Sequence, residues 1–454
     1  MDLKGKNILV LGLAKSGVAA AIELNKIGSN VTASDIKDRS SIKNADLLES
    51  LGIKLVLESH PLNLLNGCDL IVVSPGIPGD LKILKEARKR DIPIISELEL
   101  GYWFMKAPII AVTGTNGKTT TTTLIGEILK NDGKTVSVAG NIGIPLIREV
   151  NKGDQDYVVV EVSSFQLENI LQFKPKIATI LNISEDHLNR HKTFENYIEA
   201  KARILENQDE NDYAVINYDD PIAFSLAKRA NGKVIFFSRK RELDFGVFVK
   251  NDVIVIKGQG GFFPILKANE LGIKGLHNLE NALAAVSVCW IAKANLNLMA
   301  ETLKDFHGVE HRLEYVATIN GVKYINDSKG TNPNSSQKAI EAVEGPIVLI
   351  AGGYDKKSDF TDFIKSFNGK VKKLILIGAT AKILEDAAIK QGFLNIEKAY
   401  SLQEAVNLAK NEARPGDTVL LSPACASWDM FQSFEERGIV FKNAVHSLMG
   451  QLKE

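Results

Sequence analysis

The sequence predicts a chain of three consecutive α/β domains, and three observations carry that prediction. A length of 454 residues suits about three domains at the usual ~100–200 residues each. Short β-branched runs alternate with helix-like stretches from one end to the other, the pattern of parallel sheets covered by helices. The alternation also restarts twice, near Lys106–Pro108 and again after His307–Val309, which sets the expected domains at 1–106, 107–308 and 309–454.

In the first domain the runs Ile8–Leu11, Val31–Ser34, Leu70–Ser74 and Pro93–Ser96 read as strands. The turn Gly12-Leu-Ala-Lys-Ser-Gly17 opens the first helix and Asp35 closes the second strand, as in the dinucleotide fingerprint of a Rossmann-like domain. Ala14 replaces the middle glycine, so a nicotinamide cofactor is not expected.

The central domain opens with a strand at Ile109–Thr113 and a helix from about Lys118. Between them Thr113-Gly114-Thr115-Asn116-Gly117-Lys118-Thr119-Thr120 has the composition of a phosphate cradle. Glycines let backbone N–H groups turn toward an anion, and the helix start adds positive potential. Lys118 can reach the β- and γ-phosphates, and Thr119 can ligate Mg²⁺. The strict P-loop pattern would place a glycine at Val112; here it has moved to Gly114. ATP is the expected ligand of this P-loop domain. Strands follow around Val136, Tyr157–Val162 and Ile177–Ile183, with β-rich material at Tyr213–Asn217, Val234–Phe237 and Val247–Ile256, then a long apolar helix after His277.

The third domain starts with Glu314–Ile319 and Val322–Asn326 around Asn320-Gly321, the signature of a tight hairpin. Strands at Ile347–Ala351, Lys373–Ile377 and Thr418–Ser422, separated by helical stretches, make it Rossmann-like as well.

Composition narrows the function classes. Lys+Arg and Asp+Glu are equal at 55 each, so no net field recruits nucleic acid or an anionic membrane. The 3 cysteines, Cys68, Cys289 and Cys425, show no zinc or disulfide spacing. No apolar run approaches the ~20 residues that span a bilayer. A cytoplasmic monomer without nucleic-acid or membrane partners is expected.

The variant loop Gly-Thr-Asn-Gly-Lys-Thr resembles the Mur ligase family, and other motifs fall in the family's order: Glu161-Val-Ser-Ser164, Asn182-Ile-Ser-Glu-Asp-His187, His277-Asn278 with Asn281-Ala282, His311-Arg312 and Asp327-Ser-Lys329. The likeness extends over essentially the whole chain. Val162-Ser-Ser-Phe-Gln166 and Leu421-Ser-Pro-Ala-Cys-Ala-Ser427-Trp-Asp-Met-Phe431 look most like the branch that adds D-glutamate, and the Asp-Asn-Pro-Arg signature of branches adding diaminopimelate or lysine is missing.

The resemblance implies an ATP-dependent amide ligase that joins D-glutamate to UDP-N-acetylmuramoyl-L-alanine through an acyl phosphate, in peptidoglycan precursor synthesis. Lys118, Glu161, His187 and Lys201 would be the catalytic set. Gly114, Thr115, Asn116, Gly117, Lys118, Thr119 and Thr120 would hold the phosphates, with Asn281 at the adenine and Arg312, Asp327 and Lys329 contributed from the third domain. Two Mg²⁺ (or Mn²⁺) ions would use Thr119 and Glu161, and His187 and Lys201. Lys201 shares an apolar helix face with Tyr197, Ile204 and Leu205, where burial would free its amine. The resemblance implies that CO₂ then makes it a carbamate. A snorkelling lysine fits the same pattern. Asp35, Ser74, Gly76 and Asn141 would meet the UDP-sugar. Thr331, Lys356, Ser427 and Phe434 would grip the amino acid, with Lys357 competing for the place of Lys356. The alternatives are another ligase of the family, adding L-glutamate or acting on folates, and a non-catalytic ATP-binding regulator.

Overall fold

The computed structural model of the protein describes residues 2–141, 143–354 and 358–450. Among these, the strands form three sheets. The first is five-stranded and fully parallel, in the order Lys54–Val56, Asn30–Ser34, Asn7–Leu11, Leu70–Val73, Ile94–Ser96. Both faces are covered, so its central strands read as near-continuous apolar runs: Ile8 to Leu11 and Leu70 to Val73 are all buried.

The second sheet is nine-stranded. Its parallel part runs Lys233–Ser238, Tyr213–Asn217, Ile177–Ile180, Ile109–Thr113, Tyr157–Glu161, Val136–Gly140. Gly246–Lys250 joins Lys233–Ser238 in parallel, and Val253–Gly258 and Gly261–Lys267 then add an antiparallel edge. The β-rich run Val247–Ile256 is therefore bent, because Asn251 and Asp252 both take positive φ (49° and 61°), the geometry of a two-residue hairpin turn. The third sheet is six-stranded, in the order Glu314–Ile319, Val322–Asn326, Thr418–Leu421, Ile347–Gly352, Val371–Ile377, Ile396–Lys398. Its hairpin turns at Asn320-Gly321, with φ of 50° and 76°. The short strands Lys54–Val56 and Ile396–Lys398 and the edge strand Gly261–Lys267 have too few residues or too much exposed surface to stand out in the sequence.

The chain divides into two compact units. One runs up to Leu271 and again over Glu280–Lys304; the other contains Gly272–Leu279 and the chain from Asp305 onward. The first and second sheets belong to the first unit, where two carboxylates of the helix Glu97–Phe104 tie them together. Glu97 accepts the backbone N–H of Ile147 at 2.8 Å, and Glu99 accepts those of Leu171, Gln172 and Phe173 as well as Trp103 Nε1. Among the described residues, no helix is long and apolar enough to cross a membrane.

Candidate active site

The phosphate loop lies where the sequence puts it, between the buried strand Ile109–Thr113 and the helix Lys118–Asn131. Gly117 caps that helix in the left-handed region (φ 85°), and a Cβ there would stand 2.1 Å from Asn281 Oδ1. The close approach requires glycine and brings Asn281, 4% exposed on the helix Leu276–Ile291, against the loop. The loop is also stitched to the segment after the strand Ile177–Ile180. Thr115 N–H donates to Asn182 O at 2.8 Å, Asn116 N–H to Asn182 Oδ1 at 2.9 Å, and Ser184 N–H to Thr115 Oγ1 at 3.0 Å. The Thr115 hydroxyl also meets Tyr197 Oη at 3.1 Å.

Two lysines converge on this loop. Lys118 Nζ donates to Gly114 O and Thr115 O, both at 2.8 Å, and Lys201 Nζ donates to the same Gly114 O at 2.7 Å. Lys201 is 1% exposed beneath the Tyr197 ring, Nζ 4.8 Å from its centroid. That burial excludes a snorkelling side chain. Burial, and then the neighbouring Lys118 charge, hold the Lys201 amine well below the usual lysine range. Its neutral form, which is the nucleophilic one, is thereby favoured. Tyr197, Ile204 and Leu205 are all buried beside it, although the α-helix ends at Ala202 and continues as a single 3₁₀ turn over Arg203–Leu205.

Glu161, at the end of the strand Tyr157–Glu161, is 3% exposed. Its Oε1 accepts from Asn141 Nδ2 at 2.7 Å, while Oε2 has no hydrogen-bond partner among the described residues. A buried carboxylate oxygen left without a donor suits a cation, so Glu161 fits the Mg²⁺ that the phosphate loop implies. Thr119, 9% exposed at the start of the loop helix, supplies a hydroxyl. Among the described residues, no group of three or more His, Cys, Asp or Glu could hold a metal by itself. His187 takes a left-handed backbone (φ 54°) at the start of the short helix Leu188–His191. Its ring packs edge-on to Phe165, with centroids 4.8 Å apart. His191 secures that helix through Ser164 Oγ at 3.0 Å and Glu168 at 3.3 Å. Thr120 is buried in the first helical turn.

In the first sheet, Asp35 accepts Leu13 N–H at 2.6 Å and Lys37 N–H at 2.9 Å, so the carboxylate is held at the strand ends by backbone amides. Ser74 Oγ donates to Gly12 O at 2.7 Å, with Gly76 two residues on in open space. Asn141 orients Glu161 through its side chain and also donates its backbone N–H to Glu161 O at 2.9 Å.

The second unit gathers the third-domain candidates. Asp327, 1% exposed, accepts from Ser422 Oγ at 2.7 Å and Leu313 N–H at 3.3 Å. Burial raises its pKa to about 6 against the opposing pull of Arg312. Arg312 Nη1 donates to Ser335 Oγ at 2.8 Å. Lys329 Nζ lies 5.3 Å from the centre of the Phe434 ring, Thr331 follows in the same loop, and Ser427 is 2% exposed. Lys356 and Lys357 lie outside the described residues.

Two residues escaped the sequence reading. Tyr197 was expected only as apolar packing, yet its hydroxyl reaches Thr115. Arg437 is wholly buried and donates to Ser328 Oγ and to the carbonyls of Ser328, Cys425 and Ala426 at 2.8–3.2 Å. It thereby ties the Asp327-Ser-Lys329 loop to the loop carrying Ser427. An arginine in a helix that is polar on one side gives no such signal in sequence.

A phosphate loop with paired lysines, an acidic strand end and a nucleotide-type first sheet define an ATP-using ligase of the Mur type. The sequence matches the Mur ligase middle domain over residues 112–289, the Mur ligase glutamate ligase domain over 311–425 and the MurD-like N-terminal domain of Mur ligases over 6–96. The chain belongs to the Mur ligase family. It is 53% identical over 452 residues to the UDP-N-acetylmuramoylalanine--D-glutamate ligase of Thermoanaerobacter sp. (strain X514), covering 99% of this chain and 100% of that one. It is 46% identical to the protein of the same name from Clostridioides difficile (strain 630), with the same coverage. Among solved structures, the fold is shared with the UDP-N-acetylmuramate-alanine ligase MurC of Thermotoga maritima (TM-score 0.60, 20% identity, 97% of this chain and 99% of that one). It is shared too with MurF of the same organism in complex with ADP (TM-score 0.60, 16% identity, 98% and 96%).

Proposed function

We propose that this chain joins D-glutamate to UDP-N-acetylmuramoyl-L-alanine at the expense of ATP, forming ADP and phosphate, as a cytoplasmic step of peptidoglycan precursor synthesis. The observation that carries the reading is the identity of 53%, end to end, with a ligase of that name. The domains expected at 1–106, 107–308 and 309–454 would then hold the UDP-sugar, ATP and the amino acid. The protein would act as a monomer.

The chemistry follows from charge. A carboxylate does not condense with an amine in water, so it is first phosphorylated, which brings two anions together. Lys118, folded over the loop at Gly114 and Thr115, can swing outward to the β- and γ-phosphates. Thr119 and Glu161 would hold one Mg²⁺ (or Mn²⁺), and His187 with Lys201 the second. Bound there, the ions would neutralise the charge that the phosphates and the reacting carboxylate bring together. For Lys201 to serve as a ligand, its neutral amine adds to CO₂ and loses a proton, giving a carbamate anion. That anion would also be attracted to the neighbouring Lys118. Asn281 would take the adenine, and Arg312, Asp327 and Lys329 would add contacts to the ATP. Asp35, Ser74, Gly76 and Asn141 would hold the sugar nucleotide. Thr331, Ser427, Phe434 and the lysine pair Lys356 and Lys357 would receive the amino acid.

The test is phosphate release from ATP with UDP-N-acetylmuramoyl-L-alanine, comparing D-glutamate, L-glutamate, lysine and no amino acid. Release that depends on D-glutamate is expected. Release that depends on another amino acid would move the acceptor, and none at all would overturn the reading.

A further inference from the structure

A cavity of about 570 Å³ opens in the first unit away from the phosphate loop. Its volume falls within the range of small-molecule sites. Apolar walls come from Leu24 and Ile27 at the end of the helix Lys15–Lys26, from Phe104 at the end of the helix Glu97–Phe104, and from Val150. Lys106–Pro108, which lead into the strand Ile109–Thr113, complete the rim. That strand and its neighbour Tyr157–Glu161 begin here and end at Gly114 and Glu161. Five residues at ~3.3 Å each put the cavity roughly 16 Å from the nucleotide site.

The donors Lys106 and Asn151 line this cavity at its exposed rim, whereas the polar atoms buried inside it without a hydrogen-bond partner among the described residues are all acceptors. Glu149 is 1% exposed, and neither of its carboxylate oxygens accepts a hydrogen bond among the described residues. Its cationic neighbour is Lys152 at 3.0 Å, half exposed and outside hydrogen-bond geometry. Gln155 Oε1 is likewise buried without a donor, and Glu23 and Asp154 add acidic side chains to the lining. Glu23 is paired with Lys26 at 2.7 Å, so the acceptors left without a hydrogen-bond donor among the described residues are the buried oxygens of Glu149 and Gln155. Buried acceptors are stable when a donor meets them, and the surrounding walls suit a hydrocarbon.

We propose that this cavity binds an amphiphilic organic cation, an amine or amidine on an aliphatic or aromatic body, with the cationic N–H groups donating to Glu149 and Gln155. The probe is phenethylamine, titrated calorimetrically into the full-length protein. Phenylacetate, with the same body and the opposite charge, is the control. Phenethylamine binding, absence of phenylacetate binding, and at least a tenfold weakening in Glu149→Gln at unchanged ligase turnover are expected. A second variant, Ile27→Trp, fills the exposed rim, leaves the carboxylate in place and should also weaken binding, which covers a Glu149→Gln protein that folds poorly. Absence of phenethylamine binding, equal binding of the acid, or full binding by both variants would overturn the site.

Discussion

Lys201 and Arg437 are both cations with almost no exposed surface, 1% and 0%, yet the protein treats them in opposite ways. Arg437 meets a hydroxyl and three backbone carbonyls. Burial brings its pKa down only to about 10, so it stays charged at neutral pH. Lys201 finds one carbonyl at close range, a hydroxyl at 3.5 Å and a second lysine on the same carbonyl, and its amine is held far below its ordinary value. Burial sets the penalty on a charge; the acceptors around it decide whether the charge survives. Arg437 is consequently a staple and Lys201 a reactive amine.

Truncating each residue should break the molecule in a different place. Arg437→Met leaves several buried carbonyls without donors, and a stability loss of about 3–5 kcal/mol is expected from orphaning such a network, read by denaturant unfolding. Unfolding at the wild-type midpoint would remove the staple role. Lys201→Ala removes a buried stem as well as the amine, so it costs some stability through the cavity it leaves, but it orphans no network of carbonyls. What sets it apart from Arg437→Met should be a loss of about 10²–10³ in the turnover of the folded protein, the scale of losing one charge-stabilising group. Short carboxylates such as formate should restore part of it by standing in for the carbamate. Wild-type turnover in this variant would sink the carbamate.

The same contrast recurs between carboxylates two residues apart. Glu99 collects four donors, whereas Glu97 accepts at one oxygen and leaves Oε2 buried without a partner. Burial raises the Glu97 pKa from 4.5 to about 7. Between those values the folded state holds a proton that the unfolded chain has released, so stability falls as pH rises through that window. At 1.36 kcal/mol per pKa unit, the full loss approaches about 3 kcal/mol above pH 7. Glu97→Gln should flatten this slope. A urea midpoint that falls between pH 5 and 7.5 equally in both proteins would show that Glu97 is not its source.

The parts of the molecule that the sequence made legible are those with a local rule behind them. The phosphate loop, the Asn320-Gly321 hairpin and the buried parallel strands follow from glycine geometry and apolar runs that any reader of the chain can find. The apolar face at Tyr197, Lys201, Ile204 and Leu205 was equally visible by its spacing, and all four side chains are buried. The lysine pairing at Gly114 was not, because residues 118 and 201 meet only through the sheet order. Arg437 and the Glu97–Ile147 contact, which spans 50 residues, depend likewise on tertiary packing. The nine-stranded sheet gained its exposed edge at Gly261–Lys267, where Phe262, Phe263 and Pro264 are all exposed and no alternation announces a strand.

The smallest effect is the one that tests the burial penalty that Lys201 and Arg437 share. Lys398 makes an ion pair with Glu385 at 2.7 Å, as short as Lys201 to Gly114, but its side chain is 45% exposed. Its ammonium keeps most of its water, so forming the pair costs little desolvation and yields little net attraction. Lys398→Met should therefore change unfolding stability by less than about 1 kcal/mol and leave turnover as it is. Were it to cost as much as Arg437→Met, the geometry of the pair would matter more than its surroundings. Burial would then not be what makes the partners of the two buried cations decisive.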